Sequence, residues 1–234
     1  KPMRVADMNW KDIETAAKTD PRCCIPIGSV EQHSYLSVCT DLILAERIAV
    51  EAAAPLNILV FPVMPFGITP NFVKFPGTIS LRVTTLLEVI RDIVTSLKSS
   101  GFSKICVVSG HGGNAPIGDL LNDLMTKDPE IKLKFHEWFK GPKLLAKAMA
   151  IDVTASHGNW FENFPWTRLS HAESPNGSKP MIDRTKLPEL DADEIKHLLI
   201  DGSYGGEWQK PDKIMNEIWL AGVEETRDVL REPW

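Results

Sequence analysis

The chain of 234 residues has no long run of one charge, no apolar stretch near membrane-spanning length and only four cysteines. Each shortage excludes something. Its 31 acids and 26 bases leave a formal net charge of -5 with no clustered basic tract, so the electrostatic groove needed for a nucleic-acid partner is missing. A membrane span needs about 20 consecutive apolar residues, and none occurs. The opening Lys1-Pro2-Met3 stretch has no charged segment followed by an apolar core, so no leader is expected there. Cys23, Cys24, Cys39 and Cys106 lack metal-finger or disulfide-framework spacing. Three of them lie in apolar, strand-like runs, where a reduced cysteine behaves as a small buried hydrophobe. A reducing, cytoplasmic setting is the expectation.

What is present reads as one enzyme-sized domain over residues 1–234. Hydrophobic residues make up 43% and charged residues 24% of the chain, a globular composition, and no linker, repeat or low-complexity tract interrupts it. Apolar runs alternate with helical periodicity. Strands are predicted at Cys23 to Ile27, Asn57 to Val63, Lys104 to Val108 and Ile131 to His136, and helices at Trp10 to Thr19, Leu42 to Ala54, Val83 to Lys98 and Ala115 to Lys127. Further helices follow Asp191 and span Pro211 to Leu230. Parallel strands need helical crossovers, so the alternation implies an α/β fold, a mostly parallel central sheet with helices on both faces.

Two stretches carry chemistry. Gly28 to Asp41 follows the first strand and places Glu31, His33 and Asp41 on one loop. Carboxylate and imidazole are common ligands for zinc and similar divalent ions. The same stretch could also be a polar turn capped by Thr40 or Asp41. The second is Ser109-Gly110-His111-Gly112-Gly113-Asn114, which follows the third strand. Its glycines suit a backbone that turns tightly or approaches something closely, and His111 is either a ligand or a turn histidine. Ligand sites of open α/β sheets lie beyond the carboxyl ends of the strands, where both stretches fall.

Pro26-Ile27-Gly28-Ser29-Val30-Glu31-Gln32-His33 with Thr40-Asp41, then Phe75-Pro76-Gly77-Thr78, then Gly110-His111-Gly112-Gly113-Asn114, together resemble the creatininase (creatinine amidohydrolase) family. The resemblance implies a three-layer α/β sandwich, two divalent metal ions per chain (zinc or manganese, with iron also suited to such ligands) and a homo-oligomer, commonly a hexamer. It implies metal ligation by Glu31, His33, Asp41 and His111, with Asp41 bridging. In creatininase itself a further acid stands where this chain has Gly113, so Glu173 is the expected replacement. Relatives carry His-Ala-Gly followed after two residues by Glu-Thr or Glu-Ser. Here His171-Ala172-Glu173-Ser174 is matched to that pattern, with His171 as the catalytic histidine. Gly112, Gly113, Asn114, Trp166 and Phe72 are the expected substrate-binding residues, Phe72 standing where relatives often have histidine.

Such a centre predicts an amidohydrolase that cleaves a C-N bond of a small cyclic amide, formamide or related amide through a metal-bound hydroxide. Two alternatives have other signatures. A metal-dependent isomerase or lyase on a keto or polyhydroxy substrate would release no amine or new carboxylate, and a non-catalytic small-molecule binding module would hold no metal.

Overall fold

In the computed structural model, residues 3–231, 233 and 234 are described. The central sheet has four strands in the order β2-β1-β3-β4, all parallel. They are β1 (Arg22–Ile27), β2 (Leu59–Val60), β3 (Lys104–Ser109) and β4 (Lys132–Glu137). β2 is shorter than the predicted Asn57 to Val63 because Pro62 and Pro65 limit its pairing.

The strands alternate their side chains between two cores. Cys24, Cys106 and Val108 face a cluster containing Leu44, Ile48, Trp138, Trp160 and Trp219. Cys23, Ile25, Ile105 and Val107 face the other, with Leu86, Ile90, Phe102 and Ile117. Burial on both faces explains why β1 and β3 read as continuous apolar runs rather than alternating ones. Helices α1 (Trp10–Thr19), α3 (Val83–Ser99) and α4 (Pro116–Lys127) cover the second face. α2 (Thr40–Ala53), α5 (Pro142–Ile151) and α7 (Asp212–Arg231) cover the first. This is the three-layer α/β sandwich expected. α5 has no counterpart among the predicted elements.

α1 starts at a capping box, the Asn9 side chain accepting from Asp12 N-H while the Asp12 carboxylate accepts from Asn9 N-H. The late part of the chain adds a two-stranded antiparallel pair, β5 (Ser178–Lys179) with β6 (Gly206–Glu207), and between them α6 (Ala192–Leu199). α6 packs Ile195 and Leu199 on Phe72, closing a small third cluster. All four cysteines are free, and burial pushes the Cys106 thiol up to about 12. No helix among the described residues is long and apolar enough to cross a membrane.

Candidate metal centre

Ile27 and Ser109, the last residues of β1 and β3, are register partners. The loops that leave these two strands therefore start side by side, bringing Glu31 and His33 to His111. The first turn of α2 sets Asp41 between them. That approach needs Gly110, because a Cβ there would lie 2.3 Å from the Asp41 carbonyl oxygen.

Asp41 is shared. Its Oδ1 is 2.9 Å from His33 Nε2 and its Oδ2 is 2.8 Å from His111 Nδ1. Glu31 Oε1 lies 3.4 Å from His111 Nδ1, and Glu162 Oε1 lies 3.5 Å from His33 Nε2. Three groups able to hold a cation result: Glu31, Asp41 and His111; His33, Asp41 and Glu162; and Glu31, His33 and His157.

The hydrogen bonds around the imidazoles fit a metal. His33 Nδ1 faces the Glu31 carbonyl oxygen at 3.1 Å, and His111 Nε2 faces the Ile68 carbonyl oxygen at 2.7 Å. A carbonyl only accepts, so each ring donates there and turns its other nitrogen, with a lone pair in the neutral form, toward the carboxylates. This is how metal-binding histidines are commonly oriented. His33 Nε2 is buried without a hydrogen-bond partner despite its 2.9 Å distance to Asp41. Close approach without hydrogen-bond geometry suits two donors arranged about a third atom. The acids are held as well: Ser29 Oγ donates to Asp41 Oδ2 at 2.8 Å, and the Thr69 hydroxyl donates to Glu31 Oε2. An oxygen and nitrogen set of this kind suits divalent zinc or manganese.

The same groups perturb one another. Burial alone would lower the pKa of His33 and His111, but their neighbouring carboxylates outweigh it and hold both well above the ordinary value. Burial would raise Asp41 and Glu162; the imidazoles, His33 foremost, pull both below the usual carboxylate range. His157 is lowered by burial and then by the positive charge of His33.

A single side chain fixes the tautomer of His157. The Gln32 oxygen accepts from Ser34 N-H at 3.0 Å, and its amide nitrogen donates to the Gly202 carbonyl at 3.0 Å. That same nitrogen is 2.9 Å from His157 Nε2. Nε2 therefore accepts, and the ring proton sits on Nδ1, 3.8 Å from Glu31 Oε1. The Phe72 ring stacks on the other side of His157 with centroids 4.9 Å apart.

Of the residues singled out from sequence, Glu31, His33, Asp41 and His111 come together and are buried. Phe72, Gly112 and Gly113 line a cavity of about 610 Å³ over the cluster. The structure does not bring the others to it. Asn114 is a buried brace, its amide holding the Gly28 carbonyl and Ile68 N-H. Trp166 packs in the first core, stacked on Phe164 with the Arg47 guanidinium 3.8 Å from its ring. His171 and Glu173 are exposed and belong to none of the ligand groups. The expectation for them is corrected: beyond buried Thr167 the chain leaves the core, and His171 sits in the turn bridging Leu169 and Ala172.

His157 and Glu162 lie at the cluster instead, and the sequence contains a signal for them. The relatives' pattern puts glutamate five positions after histidine; His157 and Glu162 keep that interval, whereas His171 and Glu173 are two apart. Gly113 has no room for a side chain unless a neighbour shifts. A Cβ at Gly113 would lie 1.9 Å from the Ile68 carbonyl oxygen and 2.5 Å from His111 Nε2.

The fold and this centre define an α/β protein with a buried carboxylate and imidazole cluster beyond the strand ends of a parallel sheet. Residues 6–176 match the creatininase (creatinine amidohydrolase) family, and the chain belongs to it. Among curated relatives, the mycofactocin precursor peptide peptidase of Mycolicibacterium smegmatis is 36% identical over 101 residues. That of Mycobacterium tuberculosis is 30% identical over 107 residues. The match spans 40% of this chain and 40% of the length of the former relative. A creatinine amidohydrolase (creatininase) crystal structure superposes with a TM-score of 0.84 at 18% identity, covering 98% of this chain and 96% of that one. A manganese form of creatininase gives 0.78 at 18% identity, covering 99% and 98%.

Proposed function

We propose that this chain is a divalent-metal-dependent hydrolase that cleaves the C-N bond of a small amide, a short peptide included. The carrying observation is Asp41, whose two oxygens face two differently ligated histidines. In this reading Glu31, Asp41 and His111 hold one ion, and His33, Asp41 and Glu162 hold a second. Bound zinc or manganese would supply an activated water and a Lewis acid for the amide carbonyl. Three carboxylates, two of them buried and Glu162 partly so, would offset the cationic charge.

The chain's own residues hold one proton beside the candidate centre. His157 carries it on Nδ1, the ring edge nearest Glu31, while the Gln32 amide keeps Nε2 occupied as an acceptor. In hydrolysis the oxygen of water joins the acyl carbon, the C-N bond breaks, and the leaving nitrogen takes a proton. A carboxylate of the cluster carries the attacking water's proton to that nitrogen, while His157 stays neutral and its Nδ1–H donates a hydrogen bond to the reacting amide. Phe72 stacked on the ring limits its rotation and keeps bulk water from that side. The peptidase relatives and the amidohydrolase family both support C-N cleavage.

The test is metal content and amine release on the same preparations. Wild type should hold about two equivalents of zinc or manganese, E162Q about one and D41A close to none. H157A should keep its metal and lose amine release from a panel of formyl, cyclic and peptide amides by about a hundredfold or more. A wild-type chain that takes up no zinc or manganese would sink the proposal.

A further inference from the structure

The cavity lining contains two cations with different surroundings. Lys140 is held by Glu137, both carboxylate oxygens 3.0 Å from its Nζ. Arg184 has no carboxylate partner among the described residues. Its guanidinium lies 5.1 Å from the centre of the Tyr204 ring, and both residues line the cavity. Tyr204 in turn lies 5.1 Å, ring to ring, from His157. A ladder of three side chains thus runs from the cavity mouth to the candidate centre, with a positive charge at its outer end. Burial raises the Tyr204 pKa to about 12, so its hydroxyl stays a neutral donor. Arg184 and Tyr204 lie beyond the residues 6–176 that match the family, in the segment that α6 anchors on Phe72.

We propose that Arg184 is the specificity residue of this cavity and takes the carboxylate of an acidic amide substrate, an acylated amino acid or a short peptide with a free C-terminus. The proposal rests on the hydrolase reading for the position of the scissile bond. A guanidinium presents paired donors that match a carboxylate, and stacking on an aromatic face leaves those donors free at the edge. An extended chain advances about 3.5 Å per residue. Two steps of 5.1 Å therefore favour a peptide-length acid over a single acylated residue.

Zinc-loaded protein is titrated by calorimetry with acetyl-alanine and acetyl-alanyl-alanine, each as free acid and as C-terminal amide. Wild type should bind the longer acid about tenfold more tightly than its amide, and R184Q should lose that preference while binding the amide as before. R184K should keep part of it. Equal affinity for acid and amide in wild type overturns the proposal. So does a preference that survives in R184Q, because the acid is then held by the metal or by another residue. Tighter binding of acetyl-alanine would place the carboxylate too near the centre for Arg184 and would also overturn it. Amine release from the same mixtures reports separately on hydrolysis. Acid preference without release leaves the Arg184 site standing and removes the hydrolase reading; release without preference does the reverse.

Discussion

Gly113 is hemmed in by the groups that orient His111. Any side chain there meets the Ile68 carbonyl oxygen, which is also the acceptor that orients His111. G113A should therefore act through its neighbour: His111 loses its hydrogen bond and its lone pair turns away. Loss of such an orienting contact typically costs about 10 to 100-fold in metal affinity, measurable by competition with a chelator. An unchanged affinity would mean that the backbone yields at that point without disturbing His111. Ser34 shows the same dependence of chemistry on backbone. It has φ +58°, a left-handed conformation rare outside glycine, asparagine and aspartate, and its N-H holds the Gln32 oxygen.

At the scale of elements, the decisive piece is the loop from Asp152 to Asn163, which carries both His157 and Glu162. Asn159 shapes it, its buried amide donating to the Thr154 and Gly205 carbonyls and accepting from Ser156 and Phe161 N-H. N159A strands several buried polar groups at once. The expected cost is at least about 3 kcal/mol of stability, read by chemical denaturation, together with loss of the ion that needs Glu162. The two ligand loops after β1 and β3 were legible from sequence because each follows a strand whose two buried faces give an unbroken apolar run. Helices α1, α3 and α4 were legible from their apolar period. The loop of His157 and Glu162 was not, since it has no periodicity and its geometry comes from side-chain to backbone bonds such as those of Asn159. His171-Ala172-Glu173 imitated the relatives' motif in composition, but its spacing was wrong and its position proved exposed. α5 gives no such signal, because it follows the Trp138–Lys140 turn directly, with only the Gly141-Pro142 step to announce it.

For the whole molecule, protons and metal ions compete for one cluster. In the metal-free protein the carboxylates hold His33 and His111 in the charged form well above the ordinary value of 6.5. A cation needs their lone pairs, so binding releases protons and apparent affinity should rise with pH, by about tenfold per pH unit for each proton displaced. Calorimetry between about pH 6 and 8 in buffers of different ionisation enthalpy would count the protons; a pH-independent affinity would show that the imidazoles are not ligands. Stability without metal runs the other way. The raised histidines stabilise the fold fully below their unfolded value and lose that contribution as pH rises through their folded values. Asp41 and Glu162, lowered in the fold, contribute above the ordinary carboxylate range and lose it as pH falls. The split origin of the ligands also orders events during synthesis. Glu31, Asp41 and His111 have all emerged before the chain reaches Glu162, so in the proposed two-ion reading the first cation would meet the nascent sheet ends, and the second would lock the late loop down only after translation has passed α5.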